Sequence, residues 1–302
     1  MTVSSPARPS ALAIWLEAAR PKTLWAAAAP VLLGVAMAWG DGVFHPVAAL
    51  CALLGAALIQ VGTNYANDAE DFVRGADTED RKGPQRATAA GLVTPTQMRA
   101  AAAVAFGLAF ASGVYLIVRG GWPILALGLI SIASGVAYTA GRYALAYTGL
   151  ADVFVLIFFG PVAVAGTYYV QALFVPPYVA VAGLGPGFLA TAILIANNVR
   201  DVDEDREANK RTLSVRFGRT FGVRLYGICI SGAVAVPAAL TLWLRAHPGI
   251  LAASLIASVV GRQLAKTLTR ETSPDILNPL LGKTALLLLV YALAFGAGWI
   301  WT

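Results

Sequence analysis

Charge is scarce in this chain. Of its 302 residues only 13% are Asp, Glu, Lys or Arg, against 58% that are hydrophobic, and mean hydropathy is +0.70. A soluble domain carries about 25% charged residues, so an ordinary water-soluble fold is excluded. Length alone would allow two soluble domains. The repeated apolar runs leave instead one integral membrane bundle spanning residues 1–302. Cysteine is nearly absent too. Cys51 and Cys229 both fall inside apolar runs, which rules out a disulfide framework or a thiolate metal site and leaves buried packing. The two histidines, His45 and His247, fall in turns, where interfacial residues without chemistry are expected. No cleavage site follows a short apolar core at the N-terminus, so no signal peptide is read. The net charge of +6 points to basic loops facing anionic lipid, and no nucleic-acid partner is expected.

What the chain has in abundance is apolar runs. Nine candidate spans of roughly 17–25 residues, the length a bilayer core requires, cover residues 24–39, 47–65, 100–118, 122–140, 152–169, 178–196, 223–244, 249–265 and 280–301. Lys and Arg set the orientation. With the N-terminal segment 1–22 in the cytoplasm, every one of the 22 Lys and Arg except Arg119 and Arg245 lies on the inner side. A multi-pass protein of the cell membrane is expected, with its C-terminus outside. Trp25, Trp39, Trp122, Trp243, Trp299 and Trp301 stand near span ends, as an aromatic belt does.

Acids are few, and they are clustered. Eleven of the sixteen lie in two short stretches. Residues 64–86 hold Asp68, Glu70, Asp71, Asp77, Glu79 and Asp80. Residues 197–211 hold Asp201, Asp203, Glu204, Asp205 and Glu207. Within the first, Asn64, Asp68 and Asp71 are spaced by four and three; within the second, Asn197, Asp201 and Asp205 are spaced by four and four. Each trio therefore lies on one helix face, beginning in the last turn of a span. The recurrence suggests an ancestral repeat.

Such an arrangement is costly. Carboxylates at a helix C-terminus oppose the dipole by a few tenths to about 1 kcal/mol each, and like charges at i, i+4 repel. A compensating cation is expected. Carboxylate and amide oxygens suit Mg²⁺, which shares its ligands with substrate phosphates. With Arg81, Lys82, Arg86, Lys210 and Arg211 close by, the pattern suggests a diphosphate held through Mg²⁺ and flanked by cations. The acids off these faces, Glu70, Glu79, Asp80, Asp203, Glu204 and Glu207, read as a solvated inner surface. Asp77 lies past Gly75 and can reach back to the site.

A metal–diphosphate site at the mouth of an apolar bundle implies a substrate with a phosphate head and a hydrocarbon tail. Ionising an allylic diphosphate gives a carbocation that must be kept from water. Tyr138, Tyr143, Tyr147 and Tyr168 can offer aromatic faces to such a cation, and packing alone would also account for them.

These stretches resemble the UbiA superfamily of intramembrane aromatic prenyltransferases. Asn67-Asp68-x-x-Asp71 resembles its first Asp-rich motif and Asp201-x-x-x-Asp205 its second. ARPKTLWAAAAPVLLG, N-x-x-N-D-x-x-D followed by GADT and R-x-G-P-x-R, GLADVFVLIFFGPVAVAGTYYVQ and NNVRDVDEDREANKRTLSVRFG are most like the branch that prenylates 1,4-dihydroxy-2-naphthoate in menaquinone synthesis. The resemblance covers nearly the whole chain. It implies an all-α polytopic membrane protein, nine transmembrane helices around a central cavity, with a cytoplasmic cap from the motif loops 67–98 and 198–222. It implies Mg²⁺-dependent transfer of a polyprenyl chain from polyprenyl diphosphate to the naphthoate, with loss of the carboxylate.

By the same resemblance Asp68, Asp71, Asp201 and Asp205 are the catalytic, metal-holding carboxylates, with Asn67 a further metal ligand. Asn64, Asp77, Arg81, Arg86, Asn197 and Lys210 bind the diphosphate. Lys22, which matches a basic position near the aromatic acid or the diphosphate, is assigned with Tyr138 to the acceptor. Two positions depart from the family: Gly75 stands where much of it has a third Asp, and Asn209 where it has Gly before the Lys. Asn tolerates the left-handed conformation, so the turn is expected to survive. Other acceptors, 4-hydroxybenzoate or homogentisate, are the alternatives within the class. A secondary transporter is the alternative outside it, and it would carry its ionisable groups near the midplane rather than at one surface.

Overall fold

The computed structural model describes residues 10–75, 83, 86–141 and 144–302. Among them there is no β-strand. The helices are α1 (Ala11–Ala18), α2 (Pro21–Gly40), α3 (Pro46–Val73), α4 (Pro95–Gly120), α5 (Trp122–Ala137), α6 (Ala151–Ile157), α7 (Ala163–Ala172), α8 (Pro177–Arg200), α9 (Val202–Glu207), α10 (Leu213–Phe217), α11 (Arg219–Leu244), α12 (Leu251–Arg270) and α13 (Pro274–Trp301). Five of the long helices open on a proline. Proline lacks only an N–H that the first turn would leave unpaired, and its fixed φ suits the helix. Thr94 and Gln97 add a reciprocal capping box at the start of α4.

Among the described residues eight stretches, taking 151–172 as one, are apolar and long enough to cross a membrane. The chain is a multi-pass membrane protein. The expected fourth span, 122–140, falls short: α5 has 16 residues, about 24 Å at 1.5 Å per residue, against a hydrocarbon core of about 30 Å. The chain leaves the helix at Tyr138 and runs along the cavity wall instead. Among the described residues eight full-length spans and one short apolar helix therefore stand where nine spans were expected.

Successive helices pack side by side, and α13 packs back on α2, closing the ring. The two halves of the ring differ. On α8, α11, α12 and α13 the interior is solid, with Leu189, Tyr226, Leu240, Tyr291 and Phe295 fully buried. Between α2, α3, α4, α5, the 151–172 span and α8 it is hollow. The 151–172 span kinks at Phe158–Val162, where Gly160 leaves helical geometry ahead of Pro161. A Cβ on Gly160 would lie 2.8 Å from the Gly183 carbonyl oxygen and 2.9 Å from Gly187 Cα. Only glycine lets the kink seat on α8.

The end of the bundle away from the acid motifs is closed by Asp41. Its carboxylate accepts from Tyr168 at 2.7 Å, Tyr178 at 2.8 Å and the Trp299 indole at 2.9 Å. The His247 ring stacks on Trp299 with centroids 3.9 Å apart. Trp25, Trp39, Trp122, Trp243 and Trp301 are exposed at the rim, whereas Trp299 is buried. Trp299 thus belongs to this clasp and not to the aromatic belt.

Candidate active site

A cavity of about 1020 Å³ runs down the hollow half of the ring. Its lining on α3 includes Ala52, Ala56, Ile59, Thr63, Asn67 and Asp71, recurring at three and four residues as one helix face does. From Ala52 to Asp71 the stripe is about 28 Å long at 1.5 Å per residue. Its deep part is small and apolar, and polar side chains gather in its last two turns. Helix α3 does not stop near residue 65 where the apolar run ends, but continues to Val73. The first motif is therefore carried on rigid helix.

Asn64 is held on three sides. Its amide nitrogen donates to the Ala19 carbonyl at 2.8 Å and to Thr23 at 3.0 Å, and its oxygen accepts from Gln60 at 3.2 Å. This fixes the α1–α2 junction, where Arg20 takes a left-handed conformation, against α3. Asn67 accepts from the Thr139 hydroxyl at 2.7 Å. Asp68 is the most enclosed of the described motif acids. Its two oxygens accept from the backbone N–H groups of Ala87 at 3.2 Å and Thr88 at 3.1 Å, and the Thr88 hydroxyl donates to it as well. Asp68 thereby ties down the segment that carries Arg86.

The second motif is not one continuous helix face. Helix α8 ends at Arg200, Asp201 has non-helical backbone, and α9 follows after it. The Arg200 guanidinium grips Asp201 with two nitrogens at 2.5 and 2.6 Å. It also donates to Asn197 at 2.8 Å and to Asn278 of α13 at 2.8 Å. Beyond α9, Asn209 adopts φ +56°, and the Lys210 amide returns to the Asp205 carbonyl at 2.8 Å. The expected left-handed turn is present at Asn209.

That turn delivers Lys210 between the motifs. Its Nζ stands 3.5 Å from Asp71 and 3.9 Å from Asp205. Arg86 approaches the other Asp71 oxygen at 3.9 Å, and Tyr147 donates to Asp71 at 3.1 Å. The Tyr147 ring faces Arg74 at 4.7 Å and Lys210 at 5.3 Å. Burial, and then the Asp71 charge, push the Tyr147 phenol well above its ordinary value. It remains a neutral hydrogen-bond donor.

Residues 134 positions apart in sequence, Asp71 and Asp205, thus share one cation. Asn64, Asn67, Asp68, Asn197, Asp201, Arg86, Lys22 and Tyr138 line the same cavity. Asp77, Arg81 and Tyr143 lie outside the described residues. Of the tyrosines suggested for a carbocation, only Tyr138 among the described ones faces the cavity. Tyr147 is taken up by Asp71 and two side-chain cations, and Tyr168 by Asp41. Burial, then the charges of Asp152, Asp71 and Asp205, hold the Tyr138 phenol above its ordinary value. Arg200 and Asn278 were not singled out by sequence. The i, i+3 spacing of Asn197 and Arg200 was the available signal for the first, and nothing local marks the second.

The decisive comparison is with protein families. The UbiA prenyltransferase family matches residues 27–277. This chain belongs to that family. The 1,4-dihydroxy-2-naphthoate octaprenyltransferase of Escherichia coli is 37% identical over 277 residues, 89% of either chain. The Mycobacterium tuberculosis protein of the same name is 37% identical over 289 residues, 94% of this chain and 96% of that one. A UbiA homolog from Archaeoglobus fulgidus bound to GPP and Mg²⁺ shares the fold, with a TM-score of 0.63 at 17% identity over 94% of this chain and 99% of that one.

Among the described residues, no three His, Cys, Asp or Glu side chains converge as a closed metal cage. Magnesium does not need one, since it is commonly held by one or two carboxylates and completed by waters and phosphate. Asp71 and Asp205 fit that role, because they already share a positive charge on Lys210. Asp68 and Asp201 have their oxygens engaged by backbone amides and by Arg200.

Proposed function

We propose that this UbiA-family member transfers a polyprenyl chain from polyprenyl diphosphate to 1,4-dihydroxy-2-naphthoate, with loss of the carboxylate, giving demethylmenaquinone in its reduced, quinol form. The observation that carries the reading is the meeting of Asp71 and Asp205 on Lys210 at the head of a long apolar cavity. The named relatives, 37% identical over most of the chain, support the choice of acceptor.

The roles follow from chemistry. Asp71 and Asp205 are the groups that would hold Mg²⁺, with Asp68 and Asp201 positioning the segments around them. When bound, the metal draws charge from the diphosphate as it leaves. Lys210 and Arg86 supply cations to the diphosphate oxygens, and Arg200 holds Asn197 and Asp201 in place. The apolar stripe of α3 takes the prenyl tail and excludes water from the allylic cation. The protonated Tyr138 offers its ring to that cation. Lys22, exposed at the mouth, meets the acceptor carboxylate. The Lys and Arg distribution supports a cytoplasmic active-site end and N-terminus, in the cell membrane.

The test uses purified protein, Mg²⁺ and a labelled polyprenyl diphosphate. 1,4-Dihydroxy-2-naphthoate and 4-hydroxybenzoate are offered in parallel, with an EDTA control. Metal-dependent product from the naphthoate alone is expected. Product from the benzoate alone would overturn the acceptor and keep the chemistry.

A further inference from the structure

One buried carboxylate in the cavity has no part in the mechanism above. Asp152 is the second residue of α6 and is only 5% exposed. Among the described residues the buried acids of the two motifs, Asp68, Asp71, Asp201 and Asp205, are each held by cations, amides or hydroxyls. Among the described residues no other residue donates to either Asp152 side-chain oxygen, which leaves its own backbone N–H as the one protein donor beside it. The nearby Thr191 hydroxyl turns to the Asp152 backbone carbonyl, at 3.5 Å, and to Gly187. Asp152 lines the cavity together with Tyr138 and Gly149, and its charge is the foremost one acting on the Tyr138 phenol. A buried carboxylate without a hydrogen-bond donor from another residue costs several kcal/mol of the order seen for unsatisfied charged groups. A donor on the cavity's occupant would relieve that cost.

The chemistry of the two substrates decides which donor it is. A diphosphate and an aromatic carboxylate are anions, and Asp152 repels both toward Lys22, Lys210 and Arg86 at the mouth. A prenyl tail has no polar hydrogen. The phenolic hydroxyl of the acceptor does, and a carboxylate is its natural acceptor. We propose that Asp152 binds the acceptor's hydroxyl and takes its proton as the ring attacks. This rests on the prenyl-transfer reading.

The balance is as follows. The C–O bond to diphosphate breaks and its electron pair leaves with diphosphate. A ring π pair forms the C–C bond at the carbon bearing the carboxylate, and the hydroxyl proton passes to Asp152, leaving a ketone beside a quaternary carbon. That β-keto acid loses CO₂, the C–C pair returns to the ring as an enolate, and Asp152 gives the proton back. The aspartate is regenerated and the acceptor becomes the prenylated quinol. No oxidant or reductant is needed.

The test separates this role from structure. Asp152→Asn keeps the shape and cannot take a proton. It is expected to lower kcat by about 10²–10⁴-fold, the usual worth of a general base, with KM for the prenyl diphosphate unchanged. Its residual turnover should climb with the acidity of the hydroxyl across ring-substituted acceptors, a slope much shallower in the wild type. Because a carboxylate without a donor from another residue is removed, its Tm should equal or exceed that of the wild type.

A second measurement needs no turnover. The wild type should bind 1,4-dihydroxynaphthalene at least tenfold more tightly than its dimethyl ether, and Asp152→Leu should abolish that preference. Asp152→Asn turning over within threefold of wild type, or Asp152→Leu retaining the preference, would overturn the proposal. A wild type inactive toward every acceptor would refute the prenyl-transfer reading instead, and the binding comparison would still decide on Asp152.

Discussion

Asp41 and Asp71 stand at helix ends on opposite ends of one bundle, and their partners differ in kind. Asp41 takes three neutral donors at 2.7 to 2.9 Å, from α7, α8 and α13. Asp71 has one phenol at 3.1 Å and two cations at 3.5 and 3.9 Å. Short bonds to neutral groups on separate helices fix those helices together, and nothing remains for a ligand. Longer contacts to cations on flexible stems can be exchanged for a metal or a phosphate with little loss. The difference separates a carboxylate that builds the fold from one that is held ready.

The sharpest way to break that contrast is to remove the carboxylates at the motif end. Asp71→Ala and Asp205→Ala should each lower turnover by about 10²–10³-fold, as loss of preorganised charge stabilisation does, while helicity by circular dichroism stays intact. Near-normal turnover in both would remove the metal assignment and leave Lys210 bridging them for structural reasons only.

Arg200→Lys tests the intermediate case, a cation whose grip is short and fixed. Lysine cannot reproduce a fork that reaches Asp201, Asn197 and Asn278 at once. KM for the prenyl diphosphate should rise roughly tenfold, a loss of about 1.4 kcal/mol, with a smaller change in kcat. An unchanged KM would mean that the second motif holds its shape without this fork.

How much of this was legible beforehand follows from what periodicity encodes. Apolar runs located the spans, and the three-and-four spacing of Asn64, Asp68 and Asp71 put them on the inner face of α3, where they lie buried. Periodicity gives the face a residue looks from, not the partner it meets. Asp68 is answered by Thr88 twenty positions on, and Arg200 by Asn278 on the last helix, and neither pairing leaves a local trace. Asp152 opened an apolar run and so read as a boundary residue. Trp299 sat near a span end like its belt neighbours, and only the fold brings Asp41 to it. The short α5 was missed because Tyr138–Ala140 is apolar enough to extend a hydropathy run yet leaves the helix.

At the far end, Asp41→Ala should have the opposite profile from Asp71→Ala. Two phenols and an indole would lose their acceptor, which at about 1–3 kcal/mol for each unsatisfied buried group lowers Tm by several degrees. Turnover per folded molecule should stay within about threefold at a temperature where both proteins are folded, since Asp41 lies outside the cavity lining. A turnover loss as large as that of Asp71→Ala would show the two ends to be coupled through α2.

The smallest effect is expected at Asn209, and it refines how Lys210 is held ready. Asn209 sits at φ +56°, a conformation that costs most L-residues about 1–2 kcal/mol and asparagine less. Asn209→Gly removes the remaining strain but loosens the unfolded chain, so stability should change by less than about 1 kcal/mol in either direction. Lys210 would still be delivered between Asp71 and Asp205, and kcat should be unaltered. Asn209→Val cannot take that conformation cheaply. It should displace Lys210 and raise KM for the prenyl diphosphate with little change in Tm. If valine is tolerated as well as glycine, the Asn209 turn does not place Lys210, and the approach of its amine to Asp71 is set by the long side chain alone.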